Sequence, residues 1–137
     1  MTISPDGNHV YVTSQSEGMV TVFSQNLTTG TLSFVEVQQD GHGDVQGLAG
    51  AYAVVISHDG SNLYTTAVSS DAVVVFDRNL TTGALICVEL QSDAKSGVNG
   101  LSWPASVTIS PDGRHIYLMG AYSLAVFGVS LPANADL

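Results

Sequence analysis

The stretch that decides the fold is ISPDG at residues 3–7, which returns as ISHDG at 56–60 and as ISPDG at 109–113. Each copy begins 53 residues after the one before it. A fixed step of this size indicates one supersecondary unit repeated along the chain. Residues that recur with the step are therefore expected to be structural, and residues that interrupt it are the candidates for function.

The middle unit is complete and predicts four strands. Short runs rich in β-branched residues are separated by turn residues such as Asp59 and Gly60, and no run has a helical period. A longer glycine-rich loop follows, from residue 92 to about residue 104. The predicted strands are 53–57, 62–68, 72–77 and 85–91.

Four short antiparallel strands with tight turns describe one blade of a β-propeller. The strand at 73–76 is apolar on both faces, as expected where a blade has a neighbour on each side. A tandem of immunoglobulin-like domains would need roughly 100 residues per unit, and a β-solenoid coil is usually shorter than this step. The sequence predicts an all-β, partial β-propeller of about two and two-thirds blades, divided at 1–53, 54–106 and an incomplete 107–137.

A chain of about two and two-thirds blades leaves the outer face of its first blade and the outer face of its last blade exposed. We expect further blades or self-association to cover them, since propellers close with roughly four to eight blades. Met1 lies where the other units have strand residues, which favours a piece of a longer propeller over several copies that assemble a ring.

The net charge of the chain limits the kinds of molecule that it could bind. Twelve acidic residues against three basic ones give a formal charge of −9, which argues against nucleic acid and anionic membrane surfaces. No stretch is long and apolar enough for membrane insertion. The single cysteine, Cys87, is interpreted as core filler because it lies in an apolar run. The few lysines and the Ser/Thr/Gly-rich loops are typical of exported bacterial proteins, so the expected location is extracellular or periplasmic.

A family resemblance follows from the blade motif. Ser-Pro-Asp-Gly with a following Val-Tyr at 10–11, Val-x-Val-Phe at 20–23 and 73–76, and Thr-Gly-x-Leu at 29–32 and 82–85 resemble the YVTN-type and lactonase-like bacterial β-propellers. That family includes 6-phosphogluconolactonase-like and carboxymuconate-cyclase-like proteins, and also exported propellers without assigned chemistry. The resemblance implies the fold, but a blade motif does not select among these activities.

The recurring polar residues are predicted to be structural. Aspartate in the repeated turn is expected to accept backbone N–H groups, and the repeated tyrosines are expected to pack between blades. The asparagines of the NLTTG turns are expected to bond their own backbone. His9 and His115 are predicted to lie on the surface. The residues concerned are Asp6, Asp59, Asp112, Tyr11, Tyr64, Tyr117, Asn26 and Asn79.

The candidate site lies in the two loops between units, where the repeat is interrupted. Asp40, His42 and Asp44 alternate with glycines, a weak pattern for a Ca²⁺ site with Asp40 and Asp44 as metal ligands, whose alternative is a solvated polar loop. Apart from this weak Ca²⁺ candidate, no cofactor is expected. Gln46, Asn99 and Trp103 are the predicted ligand-binding residues. Trp103 could instead fill a blade interface.

Two functions remain open at this point. The favoured one is a non-catalytic scaffold or binding module for a protein or a small carbohydrate-like ligand. The alternative, implied by the resemblance, is a lactonase-like or carboxymuconate-cyclase-like enzyme, with His42 and Asp44 as the weak catalytic candidates. The chain has only three cationic side chains for an anionic substrate, Arg78, Lys95 and Arg114, which disfavours that alternative.

Overall fold

A computed structural model describes residues 1–92 and 100–129, which form eleven strands and no helix. The strands make three antiparallel sheets, each in simple sequential order. The first sheet holds β1 (Thr2–Ile3), β2 (His9–Ser14), β3 (Met19–Gln25) and β4 (Leu32–Gln39). The second holds β5 (Ala51–Ile56), β6 (Asn62–Ala67), β7 (Ala72–Arg78) and β8 (Leu85–Ser92), and the third β9 (Ser106–Ile109), β10 (His115–Met119) and β11 (Leu124–Gly128).

The predicted all-β, partial-propeller architecture is confirmed, and the strand positions differ from the prediction only at their ends. β5 begins at Ala51 because a β-bulge between Ala51 and Val54 lets Ala51 pair with Ala67. The first two sheets also carry a bulge at corresponding places in their third and fourth strands, beside Phe23 and Phe76. In the described part of the chain no helix could cross a membrane.

The aspartate turn has the same hydrogen bonds in all three sheets. The Ser4 hydroxyl donates to Asp6 Oδ1 at 2.5 Å and the backbone N–H of Asn8 donates to the same oxygen at 2.9 Å. Asp59 and Asp112 accept the equivalent pairs. The bond from Ser4, then that from Asn8, holds the pKa of Asp6 well below its ordinary value. The predicted structural role of these aspartates is confirmed.

The asparagine turns close in the predicted way as well. Asn26 Oδ1 accepts the backbone N–H groups of Thr28 and Thr29 at 2.9 and 3.0 Å, and Asn79 repeats both bonds. Each turn ends in a glycine with positive φ, Gly30 at 74° and Gly83 at 78°. A side chain in that conformation is strained, so glycine is required.

Two apolar cores lie between the sheets. The first interface, between the first and second sheets, contains Tyr11, Val22, Leu48, Val74 and Phe76. The second interface, between the second and third sheets, contains Tyr64, Val73, Leu101, Ile116 and Leu118. Alternate residues of β7 thus enter opposite cores, as the two-sided apolar pattern predicts. The middle sheet is covered on both faces.

Each outer sheet has one open face. Phe34 of the first sheet is 66% exposed, and Leu124 and Val126 of the third sheet are 66% and 52% exposed. Val126 of the third sheet corresponds to Val22 of the first sheet and Val75 of the second. Those two valines pack against the next sheet, so Val126 marks the open face of the third sheet. The expectation that the end faces are bare therefore matches the structure.

Candidate functional site

The loop at 40–50 lies at one edge of the sheets, beside the turns that connect second and third strands. Its first residue, Asp40, donates its N–H to Gly18 of such a turn at 3.0 Å. Its last residues meet the corresponding turn of the second sheet, where Ser69 N donates to Ala49 O at 3.2 Å. This edge, the loop edge, contains the predicted ligand-binding residues that the structure describes.

The loop is folded by its own hydrogen bonds. Asp40 Oδ1 accepts the Leu48 N–H at 2.8 Å, and Gly41 N donates to Val45 O at 2.9 Å. Val45 and Leu48 are buried in the first interface and anchor the loop. The Asp40 carboxylate, one of the two Ca²⁺ candidates, therefore already binds a backbone N–H.

The remaining polar residues of this loop point to solvent. His42, Asp44 and Gln46 are exposed, and His42 Nδ1 lies 3.2 Å from the Asp40 carbonyl oxygen. Among the described residues, no group of three or more His, Cys, Asp or Glu side chains is placed to hold a metal ion. The Ca²⁺ site and the catalytic roles of His42 and Asp44 stay predictions.

Trp103 is 52% exposed, so it does not fill the blade interface. The backbone N–H of Trp103 donates to Asp71 Oδ1 at 2.7 Å. Both residues have a positive φ, 51° for Trp103 and 47° for Asp71. The buried Leu101 fills the second interface instead. Asn99, the third predicted ligand residue, lies outside the described residues.

A group of polar side chains meets inside the first interface, centred on Arg78. Its Nε donates to Tyr11 Oη at 2.6 Å, its NH1 to the Gly60 carbonyl at 3.1 Å and its NH2 to His9 Nδ1 at 2.9 Å. The same NH2 group lies 3.4 Å from Asp6 Oδ2. We call these residues the Arg78 cluster.

The cluster corrects the prediction that His9 lies on the surface. His9 is only 5% exposed, because the Gly83 turn of the second sheet packs on its ring. Burial, with the charge of Arg78, lowers the pKa of His9, and burial raises the pKa of Tyr11. His115 is exposed, as predicted.

One sequence signal could have located the cluster. Arg78 interrupts the repeat, since Gln25 holds its place in the first unit. In the third unit Val129 takes that place, as the backbone hydrogen bonds show. Arg78 N donates to Ser61 O, and Val129 N donates to Arg114 O, which is 53 residues after Ser61. A cation that appears at this place in one unit only, at the end of a strand in a covered sheet, indicates a specific interface contact.

Tyr11 and Cys87 behave as predicted. The Tyr11 hydroxyl donates to Gly83 O across the first interface at 2.9 Å, which confirms its packing role between blades. Cys87 is half-buried against the first core, and burial raises the pKa of its thiol. A thiol in that state is a poor nucleophile, as expected of core filler.

The second interface has a cavity where the first has the Arg78 cluster. Its volume is about 270 Å³, and its walls include Tyr64, Asp77, Glu89, Phe127 and Val129. Tyr64 is the repeat equivalent of Tyr11, but Val129 cannot donate to its hydroxyl. The replacement of an arginine by a valine is therefore one physical reason for the cavity.

Comparisons with known proteins bear on the fold. No family model matches the chain, and none of the curated proteins does. Solved structures do match. The periplasmic gluconolactonase PpgL of Pseudomonas aeruginosa aligns with a TM-score of 0.78 at 29% identity, over 94% of this chain and 34% of that protein.

Two further structures extend the comparison. A candidate 6-phosphogluconolactonase of Bacteroides fragilis aligns with a TM-score of 0.78 at 21% identity, over 94% of this chain and 34% of its own. The β-propeller domain of Cps50 (Swd1) from Myceliophteria thermophila gives 0.67 at 12% identity, over 94% of this chain and 39% of its own. The chain thus resembles the lactonase-like β-propellers, as its blade motif indicated, and spans about a third of the length of those it matches.

Proposed function

We propose that the chain is a β-propeller unit that works as a binding scaffold, with its ligand surface at the loop edge. The observation that carries this proposal is the placement of the ionisable groups whose pKa is shifted. The aspartates bind their own turns, and the His9 imidazole and the Tyr11 hydroxyl both accept from Arg78, while Tyr11 donates to the Gly83 carbonyl. These groups hold the sheets together. Of the described residues with a shifted pKa, only Tyr64 lines the cavity of the second interface, where burial raises its pKa.

The loop edge has two exposed side chains, Gln46 and Trp103, to which we assign the ligand contacts. An exposed indole can stack on a sugar ring, and an amide can bond hydroxyl groups. Asp71 holds the Trp103 backbone in a fixed conformation, which reduces the entropy lost on binding. The proposed ligand is a carbohydrate-like molecule or a protein surface of similar chemistry. The proposed location of the protein is the periplasm or the outside of the cell.

Tryptophan fluorescence tests this proposal directly, because Trp103 is the single tryptophan. Titration with a panel of neutral oligosaccharides should change its emission in a saturable way. The Gln46→Ala variant should weaken that response, whereas Tyr122→Ala, which removes an aromatic side chain that is 94% exposed, should leave it unchanged. A flat emission across the panel would contradict a carbohydrate ligand.

Lactone hydrolysis is the second candidate, and the likeness to the Pseudomonas gluconolactonase favours it. His42 would act as general base and Asp44 would orient it. Our proposal expects gluconolactone to open at the uncatalysed rate in the presence of the protein. Catalysis above that rate, lost in a His42→Ala/Asp44→Ala double variant, would establish the enzyme instead. Equal activity in the double variant would remove those two residues from the mechanism.

We also propose that the open faces are covered by sheets of the same kind, from a second copy or from further blades. Light scattering distinguishes these sources. A discrete dimer or trimer would support a ring made of copies, and heterogeneous aggregate would support a piece of a longer propeller. A Val126→Lys substitution on the open face should shift either species toward monomer. A monodisperse wild-type monomer would contradict both.

A further inference from the structure

Both NLTTG turns contain the acceptor pattern of N-linked glycosylation. Asn26-Leu27-Thr28 and Asn79-Leu80-Thr81 have the form Asn-x-Thr, in which the asparagine receives the sugar. Such a pattern serves as an acceptor when it lies in a surface turn of a secreted protein. The exposure and the free groups of each turn are therefore the observations that matter.

The turn uses only the oxygen of the asparagine amide. Asn79 Oδ1 accepts the backbone N–H groups of Thr81 and Thr82, both at 2.9 Å. Within residues 1–92 and 100–129, the Nδ2 group of Asn79 has no hydrogen-bond partner, and neither has that of Asn26. An aspartate would accept the same two N–H groups. The turn by itself therefore does not explain why both copies carry an amide.

The two threonine hydroxyls of each turn have different roles. Thr82 Oγ1 accepts the Ala84 N–H at 3.3 Å, and Thr29 Oγ1 accepts the Thr31 N–H at 3.4 Å. The hydroxyls of Thr28 and Thr81 bind no other group in the described part of the chain. The hydroxyl that the acceptor pattern requires is thus the one that the fold does not use.

The turn of the second sheet stays accessible although that sheet is covered on both faces. Asn79, Leu80 and Thr81 are exposed, while Gly83 of the same turn packs on the His9 ring. The accessibility of Asn79 therefore does not depend on an open outer face.

We propose that Asn79, and Asn26 as its repeat equivalent, are acceptor sites for an N-linked oligosaccharide. The donor is an oligosaccharyl polyprenyl diphosphate, and a separate transferase brings the two together. The asparagine Nδ2 forms a bond to the anomeric carbon of the first sugar, and the bond from that carbon to the diphosphate oxygen breaks. Polyprenyl diphosphate leaves with the electron pair, and one Nδ2 proton passes to a base of the transferase.

The proposed glycans lie away from the proposed ligand surface. The NLTTG turns connect third and fourth strands, so they lie at the edge of the sheets opposite the loop edge, with the aspartate turns. A glycan is bulky and solubilising, and at this edge it leaves Gln46 and Trp103 open to their ligand. The inference rests on the proposed location in the periplasm or outside the cell, but not on the proposed ligand.

The test uses the folded protein, an oligosaccharyltransferase that recognises Asn-x-Thr, and a lipid-linked oligosaccharide of known mass. Intact-mass spectrometry should show the addition of two glycans, and peptide mapping should place them at Asn26 and Asn79. Asn8 is also exposed but is followed by His9 and Val10, so it should remain unmodified. A wild-type protein that stays unmodified, while a peptide of residues 76–83 is modified by the same enzyme, would overturn the proposal.

Single substitutions separate the acceptor groups from the fold. Asn79→Asp keeps the oxygen that closes the turn, so it should lose one glycan without a change in the midpoint of urea unfolding. Thr81→Val should lose the same glycan, whereas the matched control Thr82→Val removes the neighbouring hydroxyl and should keep both. A glycan on Asn79 in the Thr81→Val variant would overturn the assignment. The Trp103 titration uses unglycosylated protein, so a flat emission there would count against the ligand surface alone.

Discussion

The two sheet interfaces are built from the same repeat but are completed differently. In the first, Arg78 reaches from the second sheet to Tyr11 and His9 of the first sheet, and it also donates to the Gly60 carbonyl in the aspartate turn of its own sheet. In the second, Val129 stands in the place of the arginine and a cavity remains beside Tyr64. The apolar core alone is thus sufficient to stack two sheets, and the polar contacts add specificity to one of the two pairs.

Removal of the arginine should have the largest effect on this comparison. Arg78→Ala leaves the Tyr11 hydroxyl and the Gly60 carbonyl without their buried partner and opens a cavity in the first interface. We expect the free energy of unfolding to fall by about 3 kcal/mol, measured by urea denaturation.

The control is Arg114→Ala, which removes an exposed cation beside the aspartate turn of the third sheet. It should change the free energy of unfolding by less than about 0.5 kcal/mol. Equal losses for the two variants would show that the Arg78 cluster has no special weight.

The glycines of the two NLTTG turns differ in their surroundings: the turn at Gly83 is covered by the first sheet, and the turn at Gly30 is open. Gly83 and Gly30 share a positive φ, but a Cβ on Gly83 would lie 2.5 Å from the Cγ atom of the His9 ring, whereas one on Gly30 meets nothing within 4 Å. Both alanine variants should lose about 1 kcal/mol from backbone strain. Gly83→Ala should lose roughly 1–3 kcal/mol more from the clash, as measured by thermal and urea unfolding. Equal losses would place the His9 ring elsewhere.

Transfer of the arginine to the second interface should sharpen the comparison. Val129→Arg extends a guanidinium into the cavity toward Tyr64 and Asp77. We expect a gain of about 1 kcal/mol in the free energy of unfolding. An unchanged or lower stability would mean that the cavity does not reproduce the geometry of the Arg78 cluster.

The smallest expected effect is a pH dependence carried by His9. Its pKa is lowered in the folded state from an ordinary value of 6.5, so the unfolded chain takes up the proton first as the pH falls. The contribution of His9 to stability is complete above about pH 7 and declines toward about pH 5. His9→Gln should flatten urea-derived stability over this range, whereas the exposed His115→Gln should retain the slope. Below about pH 4 the turn aspartates lower the stability of both variants, because their pKa is depressed in the folded state.

Local sequence predicted the strands and turns closely. Each turn is determined by residues within a few positions of one another, such as Asp6 with Ser4 and Asn8. The ends of β5 were predicted less well, because the bulge beside Ala51 depends on pairing with β6. The candidate site stays a prediction, and the structure gives only the exposure of its residues. The exposure of His42, Asp44 and Gln46 agrees with a loop surface, but Trp103 does not fill the interface that was one of its two predicted places.

The sequence by itself determined three sheets of short antiparallel strands, because the step of 53 residues repeats the aspartate turn in all three units together with the apolar runs that flank it. Only the tertiary structure decided which polar groups meet. Arg78 donates to Tyr11, which lies 67 residues earlier in the chain. Glu36 Oε1 accepts the backbone N–H of Leu85, 49 residues later. Such contacts depend on the angle and distance at which one sheet packs on the next, and those are set by the whole apolar core between them.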